Sequence, residues 1–147
     1  RPAAHFSNVY PIERRLEAVQ NADVVAACLP LTHETRGVLD QAFFEALEPG
    51  AIFLNAGRGG TVRQEALIGA LSSGRLGGAM LDVAEREPME ADCPLWDMEN
   101  VIVTPHVSGS DLDPWNTGKI LEIFLQNLRL YGAGQPLQNI VDINQGY

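Results

Sequence analysis

The chain has 147 residues, a length that suits one domain with a sizeable buried core. Apolar residues make up 46% and charged residues 20%, which argues against disorder. The formal charge of −9 argues against a nucleic-acid-binding face, because phosphates require a basic one. No apolar run approaches the ~18 residues of a membrane span, no signal peptide is evident, and two cysteines are too few for a disulfide framework. We therefore expect a cytoplasmic protein that contacts neither membrane nor nucleic acid.

Four short apolar runs are spaced along the chain, with helical patterns between them. The runs are 22–30, 51–57, 77–83 and 100–106. Near-continuous apolar runs are typical of strands that are covered on both faces, as in parallel sheets. The alternation of strands and helices predicts an α/β fold with a doubly wound parallel sheet.

The first half of the chain carries two helix signals. A possible edge strand at Val9-Tyr10 precedes a short amphipathic helix over 12–23. Apolar residues at helical spacing in 41–48 indicate a second helix, which Pro49-Gly50 ends. Cys28, inside the first apolar run, is expected to pack as a small hydrophobic residue.

A third helix follows the second apolar run. Thr61 is predicted to begin it, and Gln64, three residues later, would complete a capping box. Gly74 supplies a left-handed stop. Further along, Leu95 and Trp96 are expected to pack against the sheet.

The last third of the chain differs in pattern. It predicts one long helix from about Pro114 to Tyr131, followed by an extended tail. We therefore expect a division at 110/111, between the sheet-forming part of the chain over 1–110 and a separate C-terminal helix and tail over 111–147.

One short stretch raises a chemical question, because Arg58 stands between glycines in "AGRGGTVRQEALIGAL" (56–71). Taken alone, an arginine in such a turn is more often a solvated cation than a catalyst. In open parallel sheets, however, ligands bind beyond the carboxyl ends of the strands. The polar and turn residues that follow the four predicted strands are Pro30, Thr32, Asn55, Ala56, Gly57, Arg58, Asp82, Glu85, Glu87, His106 and Gly109.

Four ordered motifs then carry a family resemblance. They are "LPLTHETRGVLD", "NAGRGGTV", "ALSSGRLGGAMLDVAEREP" and "PLWDMENVIVTPHVSGS". Together they resemble the cofactor domain of the D-2-hydroxyacid dehydrogenases, strongly over about 20–112 and loosely beyond. The resemblance implies a Rossmann-like sheet, a nicotinamide cofactor (NAD or NADP), no metal, and a small 2-keto or 2-hydroxy acid as substrate.

The resemblance also assigns catalytic roles. Arg58 would bind the substrate carboxylate through charge-assisted hydrogen bonds. His106 would be the acid and base, because imidazole titrates near neutral pH. Glu87 matches the family's glutamate beside the imidazole, and only the family spacing separates it from Glu85.

Cofactor contacts follow from the same resemblance. Asp82 would contact the nicotinamide end. The other positions assigned to the cofactor are Pro30, Asn55, Ala56, Gly57, His106 and Gly109. The family often has Thr or Ala before the arginine, so Gly57 is expected to loosen this loop.

The sequence lacks the Gly-x-Gly-x-x-Gly loop that holds a dinucleotide pyrophosphate. In the family that loop precedes the segment with which this chain begins. The resemblance therefore implies a partial dinucleotide-binding domain over 1–110 and, over 111–147, a C-terminal helix and tail that would pack on a missing substrate domain. Alone, this fragment is expected to be inactive and prone to association, whereas the complete enzyme is expected to be a homodimer. The alternative is a nicotinamide-sensing corepressor-like interaction protein, because a corepressor branch shares this fold and can retain the same Arg, Glu and His.

Overall fold

The four predicted strands form one parallel sheet in the computed structural model, which describes residues 5–109 and 113–143. The strands are β1 (Val24–Ala27), β2 (Ala51–Asn55), β3 (Leu76–Leu81) and β4 (Val101–Val103), and they lie side by side in chain order. The predicted parallel α/β fold is confirmed, although each strand is shorter than its apolar run. The chain forms two compact units, Arg1–Pro105 and His106–Tyr147. The predicted domain boundary at 110/111 stays a prediction.

One face of the sheet is covered by α2 (Gln41–Ala46) and α3 (Gln64–Ser72). The strand order increases steadily, and β-α-β crossovers are right-handed, so successive helices are placed on the same face. Three aromatic rings form the centre of the resulting core. Phe53 of β2 is fully buried, and its ring centroid lies 5.2 Å from that of Phe44 and 6.4 Å from that of Phe43, both edge-to-face.

The other side of the sheet, which we call the open face, is exposed. Its apolar side chains belong to Val24, Ala26, Ile52, Leu54, Met80 and Ile102. The strand register aligns Ala26, Leu54, Met80 and Ile102 in one row across all four strands. Val24 is 58% exposed and Ile102 57%. The expectation that both faces are covered is therefore wrong for this chain, because both of the helices that cover the sheet lie on one side.

The predicted strand at Val9-Tyr10 is absent, and the helix after it is short. Residues 9–10 pair with none of the described strands, and a strand requires such a neighbour to complete its hydrogen bonds. The predicted helix over 12–23 is a 3-10 turn, Ile12–Arg14, followed by α1 (Arg15–Ala18). The backbone turns at Asn21, whose φ is +64°, before β1 begins.

The capping box predicted for α3 is also wrong. The helix starts at Gln64, and its N-cap residue, Arg63, has no acceptor on its side chain. The Glu85 carboxylate, from the loop after β3, instead accepts from the Gln64 backbone N–H at 2.9 Å. Thr61 donates its hydroxyl to the Arg58 carbonyl at 2.7 Å. The helix nevertheless ends as predicted, with Gly74 at φ +72°.

Two smaller packing expectations also need correction. Cys28 is exposed, because it continues the alternation of β1 on the side of the open face. Leu95 is buried as expected, but Trp96 is 51% exposed, and its indole N–H donates to the Glu90 carbonyl at 2.9 Å.

The predicted long helix is confirmed as α4 (Pro114–Gly132). The Asp113 carboxylate accepts from the Trp115 N–H at 3.2 Å, and Pro114 occupies the first turn, where no helical hydrogen bond is lost. Large apolar side chains of this helix are exposed, among them Ile120, Ile123, Phe124, Leu128 and Tyr131. Gln138 of the tail exchanges two hydrogen bonds with Asn127 of α4. Residues 144–147 lie outside the described residues.

Candidate active site

The loop after β2 holds Arg58 by its own backbone. Arg58 is exposed and extended, with φ −135° and ψ 130°. Its Nη1 donates to the Gly57 carbonyl at 2.9 Å, and its own carbonyl accepts from the Thr61 N–H at 3.1 Å. At the end of β2, just before this loop, Asn55 Oδ1 accepts from the Gly57 N–H at 3.1 Å. The guanidinium is thus anchored at one nitrogen while its other N–H groups remain available as donors.

Two glycines bring this loop against its neighbours. A Cβ at Gly57 would lie 2.8 Å from the backbone N and O of Leu29, after β1. A Cβ at Gly59 would lie 1.7 Å from the Ala84 carbonyl oxygen, after β3. Neither space can hold a side chain without movement of the backbone. The sequence led us to expect that Gly57 loosens the loop. Instead, Gly57 allows the loop to pack closely at this edge.

The loop after β3 carries the two competing glutamates. Both are exposed, and each accepts a backbone hydrogen bond. Glu87 Oε1 accepts from the Ala84 N–H at 3.0 Å, within its own loop, whereas Glu85 Oε2 is used at the start of α3. The peptide bond between Glu87 and Pro88 is cis. Glu85 thus has a structural role at a helix terminus, which the sequence pattern did not reveal.

Asp82 is the most buried carboxylate at this edge of the sheet, at 6% exposed. Its backbone N–H donates to the Asn55 carbonyl at 3.0 Å. Its Oδ1 accepts from the Thr104 hydroxyl at 2.5 Å. Asn55 is the last residue of β2, and Thr104 is the first residue after β4. Asp82, which follows β3, therefore links polar groups at the ends of three adjacent strands.

The loop after β1 is held by two threonines. Thr35 donates its hydroxyl to the carbonyl of the exposed Pro30 at 2.6 Å, and the Thr32 N–H donates to Thr35 Oγ1 at 2.8 Å. Ala56 is exposed beside this loop, and its N–H donates to the Ala27 carbonyl at 3.1 Å. Asn55, by contrast, is 2% exposed, so its amide supports the loop from within.

His106 and Gly109 belong to the second compact unit. His106 is exposed and has φ +55°, in the left-handed region that few non-glycine residues adopt. Residues held in this region are concentrated at functional sites. The meeting of His106 with Arg58 and Glu87 stays a prediction.

The sequence reasoning missed Thr104, Gly59 and the helix-capping role of Glu85 at this edge. Thr104, Gly59 and Glu85 have structural roles that depend on neighbours 20 or more residues away. Only the position of Thr104 directly after an apolar run could have indicated a place at the carboxyl edge. Among the described residues, no group of three or more His, Cys, Asp or Glu side chains could hold a metal ion, and no helix is both long and apolar enough to cross a membrane.

The parallel sheet and the polar residues beyond its strands define a nucleotide-binding α/β domain. Comparison with known proteins identifies the family. A family model described as "D-isomer specific 2-hydroxyacid dehydrogenase, NAD binding domain" matches residues 4–108. The chain belongs to this family, so the predicted family and its nicotinamide-binding domain are confirmed.

Individual relatives agree with the family match. The chain is 47% identical to glyoxylate/hydroxypyruvate reductase B of Enterobacter sp. (strain 638) over 126 residues, which cover 73% of this chain and 39% of that protein. A D-isomer specific 2-hydroxyacid dehydrogenase from Xanthobacter autotrophicus Py2, solved with NADPH and MES, has a TM-score of 0.81 and 40% identity, covering 92% of this chain and 54% of that one.

A second solved structure gives the same fold. The NADPH-dependent glyoxylate/hydroxypyruvate reductase of Sinorhizobium meliloti, solved with NADP and sulfate, has a TM-score of 0.82 and 36% identity, covering 94% of this chain and 44% of that one. The chain thus spans about half the length, or less, of the relatives it matches.

Proposed function

We propose that the protein containing this chain is an NAD(P)-dependent D-2-hydroxyacid dehydrogenase that acts on a small 2-keto or 2-hydroxy acid. The family match over residues 4–108 carries this proposal. The chain would supply the later part of the cofactor domain and residues of the active site, and the remaining length would hold most of the substrate domain. A homodimer in the cytoplasm, with the chain divided at 110/111, completes the proposal.

Arg58 binds the substrate carboxylate. Its exposed guanidinium carries five N–H donors in a planar fork, of which Nη1 is anchored on the Gly57 carbonyl. The anchor restricts the rotation of a long side chain before substrate arrives, and this lowers the entropy lost on binding. The same fork can donate to the adjacent ketone oxygen and so polarise the carbonyl group that is reduced.

His106 holds and delivers the proton. An imidazolium N–H donates to the ketone oxygen and transfers its proton as that oxygen becomes an alkoxide; in the reverse direction the neutral ring accepts the hydroxyl proton. Glu87 is the proposed partner that orients the ring and favours its charged form. Glu85 Oε2 is directed to the N-terminus of α3, whereas Glu87 Oε1 accepts within its own loop, and this difference supports the choice of Glu87.

The carboxyl edge fits the nicotinamide end of a cofactor. Asp82 is an acceptor-only carboxylate when ionised, and a carboxamide N–H₂ is the donor that it would bind. The chemistry that the bound cofactor supplies is hydride transfer between its C4 atom and the substrate C2 atom. Pro30, Ala56, Gly57, His106 and Gly109 are the other proposed contacts, with Asn55 supporting the loop.

The first measurement is the intact mass of the polypeptide. A mass near 16.0 kDa would show that the chain is a separate half, which we expect to be inactive alone. A mass about twice as large is the expectation for two domains. The larger protein is then assayed for reduction of glyoxylate and hydroxypyruvate with NADH and NADPH. Binding of cofactor without any turnover would contradict the enzyme and favour the corepressor-like alternative.

Variants then test the assigned roles. Arg58→Ala should lower kcat/KM at least about a hundredfold, since charge-assisted hydrogen bonds to the carboxylate are lost. Arg14→Ala is its control, because it removes an exposed guanidinium that contacts Glu17 and the Tyr10 ring, both outside the proposed site. His106→Ala should lower kcat roughly 10²–10⁴-fold with little change in cofactor binding.

The two glutamates are separated by their pH profiles. Glu87→Gln removes the charge that favours imidazolium, so the limb of the profile attributed to His106 should move to lower pH. Glu85→Gln should leave that limb in place. The reverse result would transfer the role to Glu85.

A further inference from the structure

The ends of β3 and β4 place a carboxylate and a hydroxyl in register. Leu81 pairs with Val103, and the next residues along the two strands are Asp82 and Thr104. The Thr104 N–H donates to the Leu81 carbonyl at 2.9 Å, which continues the ladder past β4. The Thr104 hydroxyl then reaches Asp82 Oδ1 at 2.5 Å.

The 2.5 Å between the two oxygens lies in the range of charge-assisted hydrogen bonds. A hydroxyl that donates to an ionised carboxylate makes O–H···O⁻ contacts of about 2.5–2.7 Å, roughly twice as strong as neutral ones. The burial of Asp82, at 6% exposed, limits competition from water. Because Thr is β-branched, its χ1 angle is restricted, so the hydroxyl holds a defined direction.

We propose that Thr104 is a positioning residue, whose hydroxyl sets the orientation of the Asp82 carboxylate and thereby the affinity for the nicotinamide end of the cofactor. The proposal rests on the function proposed above, in which Asp82 contacts that end. A carboxylate has about four acceptor sites, so one side chain can accept both from the Thr104 hydroxyl and from a carboxamide. The backbone bond from Asp82 to Asn55 holds the same residue from the opposite side.

The experiment compares two ligands in the whole protein by titration calorimetry. The reduced cofactor carries nicotinamide, whereas ADP-ribose, or its 2′-phosphate for an NADP-preferring protein, carries the remainder without it. Thr104→Val preserves the shape of the side chain and removes the donor; Thr104→Ser keeps the donor. Ser73→Ala is a matched control, because it removes a hydroxyl that bonds the Ala70 carbonyl at the end of α3.

Thr104→Val should raise the Kd of the reduced cofactor about tenfold, the lower end expected for one hydrogen bond to a charged group. Its Kd for ADP-ribose should stay within about twofold of the original, because that ligand makes no nicotinamide contact. Thr104→Ser and Ser73→Ala should bind both ligands normally. In an Asp82→Asn background, Thr104→Val should have little further effect, since the two residues act as a unit.

Unchanged binding of the reduced cofactor by Thr104→Val would overturn the proposal. Equal weakening of both ligands would also overturn it, because that result indicates general damage to the domain, and so would a Ser variant that behaves like Val. Should Thr104→Val fail to fold by circular dichroism, Thr104→Ala carries the same expectations. Failure of the proposed function is a separate observation: the unaltered protein would bind cofactor but reduce no 2-keto acid.

Discussion

The two faces of the sheet are built from neighbouring residues of the same strands, yet they have opposite surroundings. In β2, Phe53 is fully buried under α2 and α3, whereas Ile52, one residue earlier, is 39% exposed on the open face. Successive side chains of a strand point to opposite sides, so this difference arises from the placement of helices and not from hydrophobicity. An apolar run therefore indicates that both faces of a strand can be buried. The path of the chain, which places the helices, decides which face is covered.

The largest contrast between the faces should come from truncating these two neighbours. Phe53→Ala removes a buried ring that touches two others, and we expect a loss of roughly 3–5 kcal/mol in the free energy of unfolding. Ile52→Ala, on the same strand, should cost much less because its side chain is already partly in water. Urea denaturation measures both. Equal losses would show that the open face is covered in solution.

A smaller effect is expected from the start of α2, which covers the buried face. Asp40 Oδ1 accepts from the Phe43 N–H at 3.0 Å and caps this helix. Asp40→Ala should lower the free energy of unfolding by about 1 kcal/mol, with Asp40→Asn close to the original because it retains the acceptor. A variant with Asn as unstable as Ala would assign the effect to the ion pair with Arg15 instead.

The start of α3 should respond still more weakly. Glu85 reaches the Gln64 N–H from another loop and is exposed, so Glu85→Ala should cost about 0.5–1 kcal/mol. Glu65→Ala is the control, because it removes a carboxylate from the first turn of α3 but leaves the bond between Glu85 and Gln64 in place. Indistinguishable thermal midpoints for the two variants would contradict the capping role.

The smallest change in stability is expected on the open face itself. Val24→Thr combined with Ile102→Thr should alter the free energy of unfolding by less than about 0.5 kcal/mol, because both side chains are exposed. The same change should reduce self-association of the isolated chain, as seen by analytical ultracentrifugation, since exposed apolar patches promote association. Association that is unaffected would locate the interface elsewhere, with the exposed apolar residues of α4 as the next surface to test.

Sequence reasoning could select site candidates where the signal is local to a motif, and their catalytic roles stay predictions. Arg58, Asp82 and Glu87 could be selected because they follow apolar runs and match family spacing, and the structure places them at the carboxyl edge of the sheet. The helix cap from Glu85 and the bond from Thr104 to Asp82 could not be selected, since each joins residues 21 or 22 positions apart. Their partners become neighbours only when the strands pair.

By itself, the sequence determined the class of fold, the four apolar runs that become strands, the long helix α4 and the family. These features depend on hydrophobic periodicity and on local motifs, which can be identified from residues close together in the sequence. The tertiary structure alone decided that the open face is exposed, that α3 is capped from a distant loop, and that Gly59 is needed where two loops touch. The physical reason is that burial, capping and close approach are properties of pairs of segments, and pairing is fixed by strand register and the direction of the crossovers.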